Sequence, residues 1–330
     1  YTDYDTSGSV STWKVGIDWK ITSDLTFRGT RSRDIRAPNL NDLFAPRLVN
    51  PAGVTDNHTA IVGQAPFITD PNPALEPEVA KTWTAGIVYR PSFIPRFSLA
   101  ADWYQIKIAN AITVIQGQNA VIQNICEASN GTSPFCALIE RPLPFSNRTP
   151  ANFVTAFYSK PQNAQVVDTH GVDIEANYSF DLAGGTVNTR GLVSWQPILN
   201  TIQFPGAPVS NGAGIAGLAE WRSTVFLKYT KGPWQFDTQT RWHNKTDWNA
   251  DRSFIYAEKK LPAVFTTNAT VSYNWARSQA FLTVTNLFDK QPTPFGGTGG
   301  ASSVAGLFGG WIQGEDTIGR YYTIGVRLRM

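Results

Sequence analysis

Eleven stretches of this chain alternate apolar with polar residues, and the connections joining them are short and long by turns. No other feature constrains the fold so tightly. Alternation puts residues i, i+2 and i+4 on one face of an extended strand. The stretches fall near 12–21, 25–30, 81–90, 96–108, 170–180, 186–195, 220–230, 233–243, 264–275, 279–288 and 320–330. In the first, Trp13, Val15, Ile17, Trp19 and Ile21 oppose Lys14, Asp18 and Lys20. In the fourth the phase slips near Gln105, where Ile106 and Ile108 change parity, so a bulge or the start of a loop is expected there. No segment has a convincing helical period. The odd-numbered stretches are followed by TSD, PSFIP, DLAGG, KGP and WARS. The even-numbered ones are followed by about 20 to 60 residues, whereas loops beyond ~12–15 are uncommon in compact domains.

A soluble β-sandwich also alternates, so alternation leaves two folds open. The parity of the connections separates them. Outer-membrane barrels keep tight turns at one end and long loops at the other, and Greek-key sandwiches have no reason to. The aromatics point the same way. Trp221 and Tyr229 share a face eight residues apart, as do Trp234 and Trp242. Eight tilted residues climb about 20 Å, close to the ~25 Å apolar band whose rims carry aromatic girdles. Trp13, Trp19, Trp83, Tyr89, Trp221, Tyr229, Trp234 and Trp242 are the expected lipid-facing girdle. The opposite face carries Lys14, Asp18, Arg28, Asp102, Asp173, Glu175, Arg190, Arg222, Lys228, Asp237, Arg241, Arg327 and Arg329, as a hydrated or plugged lumen would. The expected fold is all-β, an antiparallel transmembrane β-barrel. Eleven strands are odd and a closed antiparallel barrel needs an even number. An open curved sheet with two free edges is therefore expected when the chain is taken alone.

Other features bound the function. Charged residues make up only 16%, and the formal charge is +3 without a basic run, which argues against nucleic acid as a partner. No stretch approaches the ~18 apolar residues of a membrane helix. The opening YTDYDTSGS has neither Met nor a basic and apolar leader, so a mature chain or a fragment is expected. Cys126 and Cys136 lie ten positions apart across a Gly/Ser/Pro turn. They are expected to form a disulfide pinning a surface loop, the alternative being two unrelated thiols. His58, His170 and His243 are scattered, and no catalytic group, metal site or cofactor is expected. FGGTGGASSVAGLFGG (295–310) lacks the Lys-Ser/Thr of a phosphate loop. Trp248, Phe254, Tyr256, Phe295, Phe308 and Trp311 are loop residues that could touch a ligand or simply pack the loops.

Several segments together resemble the TonB-dependent receptors of the Gram-negative outer membrane. They are RGTRSRDIRAPNLNDLF (28–44), NPALEPEVAKTWTAGIVYRP (72–91), SLAADWYQIKIANAIT (98–113), THGVDIEANYSF (169–180), TVTNLFDKQP (283–292) and the closing GRYYTIGVRLRM. Their order and spacing are similar to those of the C-terminal half of the family's barrel. The chain has Met330 where the family ends in an aromatic. The resemblance implies a receptor that binds a scarce nutrient (a ferric siderophore, haem, cobalamin or an oligosaccharide). Import would be powered through TonB, with outer-membrane lipid around the wall. It also implies that residues 1–330 are the C-terminal half of a ~22-stranded barrel, without the plug domain, the TonB box and the first barrel half. A passive porin, a secreted carbohydrate-binding or enzymatic β-sandwich, and an outer-membrane enzyme remain as alternatives.

Overall fold

The structure, a computed structural model, describes residues 1–6, 8–248, 260–295, 310–311 and 318–328, with backbone only at 294, 295, 310 and 311. Phe254, Tyr256, Phe308, Arg329 and Met330 lie outside the described residues.

Eleven strands form one antiparallel meander, each paired with its neighbours along the chain. They are β1 (Trp13–Lys20), β2 (Leu25–Arg36), β3 (Glu78–Tyr89), β4 (Phe97–Gln116), β5 (Ala156–Leu182) and β6 (Gly185–Ile202). β7 (Trp221–Lys231), β8 (Trp234–His243), β9 (Val264–Trp275), β10 (Ser278–Thr285) and β11 (Tyr321–Leu328) complete it. β1 and β11 are the edges, each paired on one side among the described residues.

The tight connections gather at one end. Leu182 pairs with Gly185 around Ala183 and Gly184, whose φ values of 50° and 76° are the left-handed pair that a two-residue hairpin requires. Neighbouring turns are tied to each other. Asp24 Oδ2 accepts from the Ser92 N–H at 2.8 Å, and Arg96 Nη2 donates to Asp181 Oδ2 at 2.8 Å. The long connections, 37–77, 117–155, 203–220, 244–263 and 286–320, all leave from the other end.

Register assigns the faces. Trp13, Trp19, Trp83, Tyr89, Trp221, Tyr229, Trp234 and Trp242 all fall on the apolar face. The upper aromatic line crosses the hydrogen-bonded rows obliquely. The row of Trp13 reaches Lys81, two residues before Trp83, and the row of Trp83 reaches Gln105, two beyond Trp103. Trp103 shares a row with Trp195 and Trp221, and Trp242 stands one step further on, opposite Ser223. Tilted strands place a level ring of side chains in this way.

Among the described residues no second layer covers the apolar face. Trp13 is 44% exposed, Ile174 36%, Val225 46% and Phe236 42%, whereas a sandwich would seal these positions between sheets. The two buried apolar clusters lie in the long loops and the strand extensions beneath them. One joins Val54, Ala65, Val154 and Phe157, the other Ile115, Ile122, Leu138 and Phe204.

Three expectations change. The register runs unbroken through Gln105; the shift falls beyond it, between the Ile108–Val167 and Ala111–Gln165 pairs. Ile106 and Ile108 face the polar side, where Ile108 lines a recess with Ile112 and Val167 under the loops. Second, β5 begins at Ala156 instead of near 170, because its first half pairs with an equally extended β4. Third, the loops contain helices, Leu40–Phe44 and Ala120–Ala128. Asn119 caps the second by accepting from the Val121 N–H at 2.8 Å, and Ile122 and Cys126, one turn apart, bury its inner side.

A contiguous exposed apolar face on this scale marks a contact with a membrane or with another protein. A cation at the middle of that face should therefore be costly and one on the neighbouring residue harmless. Val225→Arg is expected to destabilise the intact protein in phospholipid vesicles by about 2–4 kcal/mol, and Thr224→Arg by less than about 1 kcal/mol. Urea unfolding from vesicles measures both; equal costs would contradict the assignment of faces.

Candidate functional site

Two regions combine polar chemistry with defined geometry: the polar face of the wall and the cap built from its long loops. On the wall, one row runs Asp18, Arg28, Gly86, Asp102, Asp173, Ser194, Arg222. Arg28 reaches across β3 to Asp102, with Nε 2.7 Å from Oδ1. Gly86 makes this possible, since a Cβ there would stand 2.1 Å from Asp102 Oδ1. Ser194 donates to Asp173 at 2.6 Å, and Arg222 Nη2 to Gln196 Oε1 at 3.1 Å. Arg190 Nε lies 3.0 Å from Glu175 Oε1, which also accepts from Asn177 at 2.9 Å. Lys228 and Asp237 face each other across β7 and β8, and Gln235 donates to Asp237 at 2.6 Å. Arg327 donates to Gln279 at 3.3 Å. Threonine pairs fill the intervals: Thr30 with Thr84 at 2.7 Å and Thr270 with Thr283 at 2.9 Å. Lys14, Asp18, Arg28, Asp173, Glu175, Arg222, Lys228, Arg241 and Arg327 all lie on this face. It is polar, and much of its charge is neutralised within itself.

The cap was not legible in the sequence. Loop 37–77 forms a hairpin, Leu48–Asp56 with Ile61–Thr69, that docks in parallel on the start of β5 through Phe67 and Phe157. Loop 117–155 supplies the helix and the Cys126–Cys136 disulfide, whose Cα atoms are 5.4 Å apart. A bidentate ion pair joins the loops: Arg141 Nη1 and Nη2 lie 2.7 and 2.6 Å from the Asp56 oxygens. The side chains are 7% and 0% exposed. Burial alone would raise the Asp56 carboxyl. Hydrogen bonds from Arg141, the Thr59 hydroxyl and the His58 N–H outweigh it and hold the group below the usual carboxylate value. The buried His58 ring sets Nδ1 2.7 Å from Glu127 Oε1 and Nε2 2.9 Å from the Asn147 carbonyl, and it packs 4.3 Å from Phe145. Gln123 accepts from the Asn57 N–H at 2.9 Å and donates to the Thr55 carbonyl at 3.2 Å.

The remaining sequence-predicted positions stay apart. Trp248 is half-buried in loop 244–263, whose Asp247 N–H reaches the Gly214 carbonyl of loop 203–220 at 2.7 Å. Phe295 and Trp311 lie on a two-strand ladder within loop 286–320. His58, His170 and His243 occupy a loop, the apolar face of β5 and the end of β8. Among the described residues no three His, Cys, Asp or Glu side chains come close enough to hold a metal ion.

A family described as "TonB dependent receptor-like, beta-barrel" matches residues 1–287. The chain belongs to that family. Its fold is similar to that of a mutant ferric enterobactin receptor (PfeA) from Pseudomonas aeruginosa in complex with enterobactin (TM-score 0.67, 16% identity), over 98% of this chain and 41% of that one. The siderophore receptor PirA from Acinetobacter baumannii gives TM-score 0.62 and 13% identity over 98% and 41%. The FrpB iron transporter from Neisseria meningitidis, F5-1 variant, gives 0.55 and 14% over 96% and 39%. The chain thus spans about two fifths of these receptors. No curated protein matches it.

The Asp56–Arg141 pair makes the cap testable. Removing one partner of a buried pair strands the other and costs about 3–5 kcal/mol. Arg141→Met should lift hydrogen-exchange protection from residues 48–69 and 117–155 while β7–β9 stay protected. The Asp56 carboxyl is depressed in the folded state. Its stabilisation is therefore full above the unfolded value near ~3.9 and is lost as pH falls through the folded one. The Asp56 contribution to cap protection should be unchanged above about pH 5 and be lost only in stronger acid.

Proposed function

We propose that this chain is the C-terminal half-wall and part of the ligand-receiving cap of an outer-membrane active-transport receptor in a Gram-negative bacterium. The observation that carries the reading is the oriented wall: an uncovered apolar face framed by aromatics, a self-neutralised polar face, and every long loop at one end. The free edges β1 and β11 and the two-fifths span support a larger closed barrel. In that barrel the aromatic residues form the lipid girdle, the polar ladder faces a plug domain outside this chain, and the disulfide-pinned cap helps receive the ligand. Transport draws on TonB through the plug and leaves the ligand covalently unchanged. An iron–siderophore complex is the ligand class we favour among scarce, bulky nutrients, because the similar folds are those of siderophore and iron receptors.

The test uses the intact receptor in iron-starved cells given a radiolabelled ferric catecholate complex. Surface binding should persist after a protonophore collapses the inner-membrane gradient, while accumulation falls to background. Accumulation indifferent to the protonophore would identify a passive pore and overturn active transport. Gradient-dependent uptake of haem or an oligosaccharide instead would overturn the ligand class alone.

A further inference from the structure

The polar face has an apolar interruption where β4 and β5 leave the wall for the cap. Both strands bulge there. The register slips between the Ile108–Val167 and Ala111–Gln165 pairs, and again before the Ile112–Asn163 pair. Asn110, at the first slip, is left-handed at φ 56°. Under this bend lies a recess of about 370 Å³. One hydrogen-bonded row, Asp34, Ala80, Ile108, Val167, runs through it. Ala80 and Ala111 are small and leave the depth, while Ile108, Ile112 and Val167 make the walls apolar. Asp34 on β2 and Gln165 on β5 stand at its two ends. Three strand spacings of ~4.8 Å separate β2 from β5, about 14 Å in all. The polar groups of the recess are unequally engaged. Glu78 is satisfied: Oε2 accepts from Arg36 Nε at 2.8 Å and Oε1 from the Ile112 N–H at 2.7 Å. Asp34 Oδ2 accepts from Ser32 at 2.6 Å and from Thr82 at 3.4 Å. Among the described residues Asp34 Oδ1 and the Gln165 amide have no hydrogen-bond partner.

A concave apolar pocket of this size with a few open polar groups is the usual form of a small-molecule site. The residues present narrow the occupant. Among the described residues no His, Cys, Met or Tyr lines the recess to ligate a haem iron, and no aromatic ring lines it as a platform for a sugar. With Arg36 and Glu78 paired, Asp34 leaves one carboxylate in excess, which disfavours a second anion. An uncharged arm meets these conditions when it has an apolar body, an N–H for Asp34 and a C=O for the Gln165 amide. We propose that the recess holds an amide-bearing apolar arm of the imported iron complex, while the metal and its charged oxygens stay above it in the cap. The proposal rests on the receptor reading and the ligand class set out above, and adds where on this chain the ligand lodges and by which chemistry.

Equilibrium binding to the intact receptor in detergent tests the recess. The probes are two radiolabelled hexadentate iron(III) catecholate complexes of equal charge, one with amides and one with esters in the arms joining its rings. The native receptor should bind the amide complex about ten-fold more tightly. Ala80→Phe fills the recess and should weaken both complexes by about ten-fold or more, with the melting temperature of the ligand-free receptor unchanged. Asp34→Ala/Gln165→Leu should weaken the amide complex alone, to the level of the ester. This pair needs no extra room, so it carries the test where phenylalanine is not accommodated. Gln239→Phe, on the polar face of β8, should change neither affinity. Native affinity for both complexes in Ala80→Phe would overturn the site, as would an amide preference that is absent from the native receptor or survives in the double variant. A lowered melting temperature of ligand-free Ala80→Phe with native affinity would show that a domain inside the barrel fills the recess, and would overturn the ligand as occupant. A receptor that binds neither complex yet imports haem or an oligosaccharide on the gradient loses the ligand class and the recess together. One that imports both complexes on the gradient without preference loses the recess alone.

Discussion

Backbone hydrogen bonding governs this structure. A strand with one face in an apolar medium has no water at hand for its N–H and C=O groups, and each unpaired group there costs several kcal/mol. The economical arrangement is a meander in which every strand pairs with the next along the chain, and β1 to β11 follow that order without a crossover. β1 and β11, the ends of that order, are almost wholly exposed. They are finished on one side and open on the other. Side-chain packing, which organises soluble domains, contributes little to the wall itself.

Apolar burial has moved elsewhere. Phe157, Ile115, Ile122 and Leu43 are fully buried, and all lie above the wall in the loops or in strand extensions. The cap is therefore held as a small globular protein is held, by a packed core, a disulfide and a buried ion pair. The wall is held by its ladder and by polar contacts across rows. β4, β5 and β6 belong to both regions, running from the tight turns into the cap. The docking of Phe67 on Phe157 acts directly on those extensions, and the disulfide and the Asp56–Arg141 pair tie the loops above them.

The wall could be read from the sequence because its rule is local. Alternation shows in Trp13–Lys20 and Trp221–Lys231 without reference to any partner. The reading failed where partners decide. Lys160–Gln165 contains Pro161 and little alternation, yet it is strand because β4 pairs alongside it. The helix Ala120–Ala128 is too short for its period to stand out, and its Asn119 cap gains meaning only once Ile122 finds a core. Asp56 and Arg141 are 85 residues apart, and nothing near either announces the other. Arg31 and Arg33 did leave a local trace, since RGTRSR puts arginines in the apolar phase of β2. A break in phase beside tryptophans in neighbouring strands carries as much information as the phase itself.

Parity decides what a charge does here. Arg28 and Arg31 sit three residues apart on one strand, with the same side chain and similar exposure. Arg28 points into the polar row, where Gly86 leaves room for Asp102 to meet it across a whole strand. Arg31 points the other way, where its neighbours are tryptophan rings and further cations. The first pair is closed within the protein and needs no outside ion. Among the described residues Arg31 has no carboxylate partner and rests against the rings of Trp13 and Trp83. Composition, which counts both arginines alike, cannot separate them; the twofold period of the strand does.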